Sequence, residues 1–276
     1  MKNKVAGFLK QAGENKIPEE EGVSSSIISE GLNLLREMGH GFLELLFPLR
    51  CAGCSACKST LFCNDCRKSL EVVPGPKCPV CGRPLSDKWC YDCKRQKPFF
   101  HRADSLYIYK GPIRNALLAW KYKRIENLGP VMAEIFIDGL KKDKKFIQDV
   151  DVVIPVPLHE SRIKERGFNQ SEILAEAISS EFGIPMRTRN LKRNRATALQ
   201  SRLNREQRQN NVRGAFSVLW ARELYRKRIL IVDDIMTTGV TLNECARVLR
   251  NAGAKQVTGI TLCRDIPEGF GPKQEK

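Results

Sequence analysis

Residues 228–241 read RILIVDDIMTTGVT. The run RILIV is almost wholly apolar, short and rich in β-branched residues, which is the pattern of a buried strand. Two carboxylates, Asp233 and Asp234, close it. A hydroxyl-rich loop follows, made of Met236, Thr237, Thr238, Gly239, Val240 and Thr241, and a helix is expected over Thr241–Asn251. Hydroxyls, a flexible glycine and free amides at a helix N-terminus are what a phosphate monoester needs. The paired carboxylates suit adjacent hydroxyls of a sugar and could lie near a metal. A plainer reading is a strand that ends in a capped turn, with Asp and Thr as ordinary capping residues.

Outward from this stretch, apolar runs alternate with helical patterns. Strands are expected at Ser105–Tyr109, Asp151–Val156 and Gln256–Cys263, and helices at Gly111–Tyr122, Leu128–Leu140 and Asn169–Phe182. In the last of these, Ile173, Leu174, Ala177 and Ile178 share one face. Such alternation argues for an α/β fold with a mostly parallel sheet, which binds ligands at the carboxyl ends of its strands. The segment after Val156 is basic and pinned by prolines: Arg162, Lys164 and Arg166 precede Gly167 and a helix start at Asn169. A basic loop beside a helix N-terminus is a credible pyrophosphate cradle. His159, in the same segment, reads as a solvated surface residue and takes no role.

Nine of the 11 cysteines fall between Cys51 and Cys93. Eight of them make four C-x-x-C pairs: Cys51/Cys54, Cys63/Cys66, Cys78/Cys81 and Cys90/Cys93. Eight residues separate the first pair from the second and the third from the fourth, so the unit looks duplicated. Two such turns supply the four thiolates of a closed tetrahedral Zn2+ shell. Disulfides would need an oxidising compartment, and a redox motif would occur singly. The simplest pairing is sequential, giving two structural zinc ribbons, although the spacing also admits a cross-braced one. Cys57 is left over, either free or competing with Cys51 to pair with Cys54. Four sulfurs per ion leave no open position, which excludes a hydrolytic metal centre here.

The chain has 276 residues and a formal net charge of +16, with 42% apolar and 28% charged residues. That composition excludes wholesale disorder, and no apolar run is long enough for a membrane span. The first residues, MKNKVAGFLKQAGENK, show no sustained apolar stretch with a cleavage site, so a cytoplasmic address is expected. With zinc bound the cysteine module becomes slightly negative, so the positive charge belongs to the α/β part. Between Arg187 and Arg228 lie 13 basic residues against two acidic ones, Glu206 and Glu223, a net +11. A cluster of that density points to a polyanion partner as readily as to solvent. Tyr107, Tyr109, Trp120 and Tyr122 could stack on bases, though core packing is the commoner use of such positions.

The motifs carry a resemblance. ILIVDDIMTTGVTL is similar to the phosphoribosyl-pyrophosphate (PRPP) motif of type I phosphoribosyltransferases, and Ile154–Gln170, IPVPLHESRIKERGFNQ, resembles the signature of the ComF group of phosphoribosyltransferase-like proteins. A double zinc ribbon preceded by an LLFP-type segment, here Leu45–Pro48, is also typical of that group. The resemblance implies a type I phosphoribosyltransferase-like, Rossmann-like parallel sheet preceded by a small double zinc-ribbon domain. It implies that Asp233 and Asp234 are catalytic and meet the ribose hydroxyls, and that Met236 to Thr241 hold the 5′-phosphate of PRPP carried with Mg2+. It also implies a mobile loop closing over PRPP, with Thr197, Gln200, Arg205 and Asn211 as contacts.

The layout then runs as an extension over 1–25, an amphipathic helix over 26–48, the ribbons over 49–97, the phosphoribosyltransferase-like domain over 104–267 and a tail over 268–276. The implied role is DNA uptake and natural transformation, with single-stranded DNA and uptake or recombination proteins as partners. The alternative is an active phosphoribosyltransferase on an unidentified nitrogen acceptor, with no DNA role.

Overall fold

The computed structural model describes residues 49–85, 90–123, 125–196 and 205–266. The expected extension (1–25), the helix over 26–48 and the tail (268–276) lie outside these residues. From Leu49 onward the chain forms one compact unit. Among the described residues no helix is long and apolar enough to cross a membrane.

A four-stranded, all-parallel sheet organises this unit. Its strands are β1 (Arg102–Ile108), β2 (Val152–Pro155), β5 (Arg228–Met236) and β6 (Gln256–Arg264), in the order β1-β6-β5-β2. A separate antiparallel pair, β3 (Leu191–Arg193) with β4 (Phe216–Val218), forms a small second sheet. The helices are α1 (Asn64–Lys68), α2 (Tyr91–Arg95), α3 (Gly111–Tyr122), α4 (Leu128–Lys142), α5 (Glu160–Arg166), α6 (Gln170–Phe182), α7 (Arg205–Val212), α8 (Ala221–Leu224) and α9 (Val240–Asn251).

β5 is buried because alternate side chains enter two different cores. Leu230 and Val232 join Leu117, Trp120, Phe136 and Leu174 from α3, α4 and α6. Ile229 and Ile231 join Leu242, Cys245 and Leu249 of α9, with Leu191 and Phe216 of the small sheet. Parallel strands covered on both faces read as unbroken apolar runs, as RILIV does. Tyr107 and Trp120 are core residues, at 5% and 0% exposure. Tyr122 is exposed.

Two local features depart from the sequence reading. β5 runs on through the acids to Met236, because Asp233 pairs in register with Thr261 and Met236 with Arg264. The basic segment expected as a loop is a helix: α5 carries Arg162, Lys164 and Arg166 and ends at Gly167, whose φ is 88°. His159 makes this possible by capping α5, its Nδ1 accepting from the Ser161 amide at 3.2 Å. Histidine is not among the preferred N-cap residues, so the sequence gives no sign of this start.

The ribbons are built into the edge of the sheet. β1 is an edge strand, and the segment joining the two ribbons pairs with it antiparallel, Val72 opposite Tyr107. The Val73 amide donates to the Leu106 carbonyl (3.0 Å) and the Ile108 amide to the Glu71 carbonyl (2.8 Å). The Ala103 amide donates to the Val80 carbonyl of the second ribbon (2.7 Å). An open strand edge is thereby satisfied within the chain. Cys51, Phe62, Cys63 and Cys66 of the first ribbon belong to the same core as α3. The approach is close: a Cβ on Gly53 would come within 2.9 Å of Cys66 Sγ, Phe62 and Pro112. Asn115 of α3 also donates to the Gly53 carbonyl at 2.8 Å.

Candidate functional site

Two metal-binding tetrads stand out. Cys51, Cys54, Cys63 and Cys66 form one, and Cys78, Cys81, Cys90 and Cys93 the other; within each, the sulfurs all lie within 4.8 Å of one another. The pairing is therefore sequential, not cross-braced. Cys51–Cys66 and Cys81–Cys90 are 3.6 and 3.7 Å apart, and Cys54–Cys63 4.0 Å. A tetrahedral site with Zn–S of about 2.3 Å requires S···S edges of about 3.8 Å, so the donor set fits Zn2+ as it stands. Amides already point at the sulfurs: Gly53 and Cys63 donate to Cys51 Sγ at 3.4 and 3.3 Å, and Cys81 to Cys78 Sγ at 3.5 Å. Burial raises the Cys51 thiol, but the amides of Cys63, Cys54 and Gly53 outweigh it and bring the pKa to about 6. A hydrogen bond from Cys93 brings Cys81 to about 5. Cys57 is exposed and belongs to neither tetrad.

The second site lies at the carboxyl end of β5. Asp233 Oδ1 accepts from the Ser171 hydroxyl at 2.8 Å and from the Asp234 amide at 2.9 Å. Burial, and next the Asp234 charge, push the Asp233 carboxyl up to about 6 against those hydrogen bonds. Asp234 is only 7% exposed, and Lys121 Nζ, in the last turn of α3, sits 2.5 Å from its Oδ2. Beyond the acids, Gly239 takes the left-handed conformation (φ 80°) and starts α9 with no side chain capping it. As a glycine it contributes no capping side chain of its own, and a helix N-terminus is an anion-binding end.

Cationic side chains crowd the same corner. Arg166 donates to Gln170 Oε1 at 3.2 Å and lies 5.7 Å from the Tyr122 ring. Arg193, on β3, is largely desolvated, which lowers its pKa, and it feels the charges of Asp233, Arg162 and Arg166. Gln170 Nε2, Arg166 Nε and the Thr238 hydroxyl are buried without hydrogen-bond partners. Unmet donors around a pair of carboxylates fit a ligand that carries both phosphate oxygens and hydroxyls.

Comparison with known proteins identifies both parts of the chain. The model of the phosphoribosyl transferase domain matches residues 169–275, and that of the double zinc ribbon domain residues 42–94. Competence protein ComFC of Bacillus subtilis is 30% identical over 217 residues, covering 73% of this chain and 83% of that protein. This chain belongs to the ComF family. Competence protein F of Haemophilus influenzae is 28% identical over 227 residues, covering 79% of this chain and 98% of that protein. The DNA utilization protein YhgH of Salmonella typhimurium is 30% identical over 209 residues, covering 74% and 90% respectively. The fold is that of a type I phosphoribosyltransferase with a double zinc ribbon before it.

Within this ComF chain, Asp233, Asp234 and the loop from Met236 to Thr241 lie together at one strand end. Arg162 and Arg166 stand within electrostatic reach of Arg193, whereas Lys164 is exposed. Of the expected mobile-loop residues, Thr197, Gln200 and the Arg205 side chain lie outside the described residues. Asn211 is half-buried near the end of α7, where its carbonyl accepts from Arg195 at 3.1 Å. Three residues at the site carry no local sequence signal that assigns them to it, Lys121, Ser171 and Arg193, and a fourth, Gln170, closes the Ile154–Gln170 motif without being singled out there. Lys121 is visible only as part of a general basic surface. Gln170 and Ser171 begin α6, and the cap of that helix holds the clue. Asn169 accepts from the Ser171 amide (3.1 Å) and donates to the Val156 carbonyl (3.1 Å), which ties the start of α6 to the end of β2.

Proposed function

We propose that this ComF protein binds PRPP with Mg2+ at the carboxyl end of β5 and takes part in handling DNA during its uptake. The observation that carries the reading is the pair Asp233 and Asp234 beside the N-terminus of α9, with Lys121 on Asp234 and with Arg193 feeling the charges of Asp233, Arg162 and Arg166. The two carboxylates orient the ribose hydroxyls, and the loop amides and the Thr238 hydroxyl take the 5′-phosphate. The arginines face the pyrophosphate. On binding, Lys121 exchanges its partner, Asp234, for a ligand oxygen. Hard oxygen donors are the right set for Mg2+, which supplies charge neutralisation of the pyrophosphate when bound.

The DNA role is supported by relatives named for competence and DNA utilization, and by the charge between Arg187 and Arg228. Two measurements test the pair of roles together. Pyrophosphate release from PRPP with Mg2+ and a panel of amines and nucleobases decides whether ligand binding leads to turnover. Affinity for single-stranded DNA across a salt series shows how many DNA phosphates the protein neutralises. Replacing Arg202, Arg205 and Arg208 with neutral residues is expected to lower the slope by about 0.7 for each phosphate that goes unneutralised. An unchanged slope would place the DNA surface elsewhere.

A further inference from the structure

One buried arginine joins the second ribbon to the loop after β5. Arg264 is the last residue of β6 and only 2% exposed. Its guanidinium donates to the carbonyl of Cys81, a member of the second tetrad, and the same nitrogen lies 3.5 Å from Met236 Sδ. Met236 ends β5, pairs in register with Arg264, and its carbonyl accepts from the Asp265 amide at 3.0 Å. Its sulfur packs against the start of α9: a Cβ on Gly239 would stand 3.5 Å from it. Cys81, Arg264, Met236 and Gly239 thus form a continuous chain of contacts from a metal ligand to the loop.

The ribbon is held hard against this corner. The Ala103 amide reaches the Val80 carbonyl at 2.7 Å, and a Cβ on Gly82, whose φ is 67°, would collide with Asp104 and the Ala103 carbonyl. Burial lowers the pKa of Arg264, and the negative groups that act against this are Cys81, Asp104 and Cys90. Asp104 is already paired with Lys77 at 3.4 Å. Four thiolates around Zn2+ carry a net charge of about −2, so the loaded second tetrad is the counter-charge that keeps a guanidinium buried here. Without the metal the thiols take up protons, and a buried cation that loses its partner is strongly unfavourable. The Arg264 Nε is buried without a hydrogen-bond partner, so the group is not locked by a full set of bonds and can answer to a change at the tetrad.

We infer that Arg264 is a positioning residue that couples zinc in the second ribbon to the phosphate loop, so that the loaded tetrad and PRPP each favour the other. The inference rests on the PRPP reading for its ligand, whereas the contact chain from Cys81 to Gly239 stands without it. With zinc bound, Arg264 stays against Met236, and Met236 holds Gly239 in the loop geometry. A ligand that tightens the loop is felt at the tetrad by the same route, because coupling between two sites is reciprocal. The first ribbon packs on α3 instead and serves as the internal control.

The test uses the full chain with cadmium in both tetrads, which gives one cadmium NMR resonance per tetrad. The resonance displaced by Asn115→Ala belongs to the first ribbon, since Asn115 donates to the Gly53 carbonyl. Saturating PRPP with Mg2+ is expected to shift the other resonance, and Arg264→Met to abolish that shift. In the zinc-loaded chain, Arg264→Met is expected to weaken PRPP binding about tenfold with both zinc ions retained, within the range of about 5–150-fold typical of coupled sites. Arg264→Lys restores the charge and is expected to recover part of the loss. A purely structural arginine would lower the thermal midpoint of these variants and leave the cadmium signal unmoved by PRPP. An unmoved second-ribbon resonance with PRPP bound, or native PRPP affinity in Arg264→Met, would overturn the inference. Failure of the native chain to bind PRPP is a separate result: it contradicts the PRPP reading, and the Met236 methyl resonance then decides the coupling. A shift of that methyl when cadmium replaces zinc, absent in Arg264→Met, upholds the coupling, and a methyl that does not respond overturns it.

Discussion

Removing zinc with a strong chelator is expected to unfold the parallel sheet and the two ribbons in a single transition. The sheet depends on the ribbons directly. The Glu71–Val73 segment pairs with the β1 edge, the Ala103 amide relies on the Val80 carbonyl, and Cys51, Phe62, Cys63 and Cys66 share a core with α3. Structural zinc in small metal-binding peptides contributes about 10–16 kcal/mol per site, comparable with the whole stability of an ordinary domain, about 5–15 kcal/mol. Metal analysis should first find close to two equivalents of zinc per chain. Chelation should then abolish the far-UV signal of the α/β part, and Cys51→Ser or Cys78→Ser should each lower the thermal midpoint sharply. A metal-free protein that keeps its sheet spectrum and its midpoint would show that the ribbons are mere attachments.

Asp233→Asn is expected to stabilise the unliganded fold at neutral pH while abolishing PRPP binding. Burial and Asp234 raise the Asp233 carboxyl from its unfolded value of 3.8 to about 6. A group whose folded pKa is raised contributes stability that is complete below pH 3.8 and lost as pH rises through 6. At pH 8 the ionised Asp233 therefore costs stability, on the order of 3 kcal/mol. Asparagine carries no charge, and its oxygen can still accept from Ser171 and from the Asp234 amide. The gain should appear in denaturant titrations at pH 8 and vanish at pH 4. A site that is costly when empty is what a cation-bearing, hydroxyl-bearing ligand would relieve. Destabilisation by the same substitution at pH 8 would mean that the Ser171 bond needs the charge.

Much of this arrangement is legible in the residues, and the exceptions have physical causes. Apolar runs buried on both faces declare themselves, so RILIV and its neighbours read directly as parallel strands. The cysteine spacing points to the ribbons, but only the fold chooses between sequential and cross-braced sulfurs. The end of β5 lies four residues beyond the apolar run, because charged Asp233 and Asp234 look like a strand terminus even though the ladder with β6 carries on to Arg264. The helix over Glu160–Arg166 is hidden by an N-cap histidine. Lys121 and Arg193 cannot be found by local pattern at all. Each sits about 40 or more residues from the acids in sequence and reaches them only because α3 and β3 fold back onto the end of β5. The integration of ribbon and sheet is equally invisible, since a backbone pairing at a strand edge leaves no mark in side-chain composition.

If the acids and loop after β5 form a PRPP site, PRPP stabilises the fold through Asp233 and Asp234. The thermal midpoint of the zinc-loaded chain is recorded with and without saturating PRPP and Mg2+, for the native sequence and for Asp233→Ala with Asp234→Ala. A ligand at about a hundred times its dissociation constant adds about 2.7 kcal/mol, which for a chain of this size raises the midpoint by about 5 °C or more. That rise is expected in the native protein and none in the double variant. An equal rise in both, or no rise in the native protein, would contradict it.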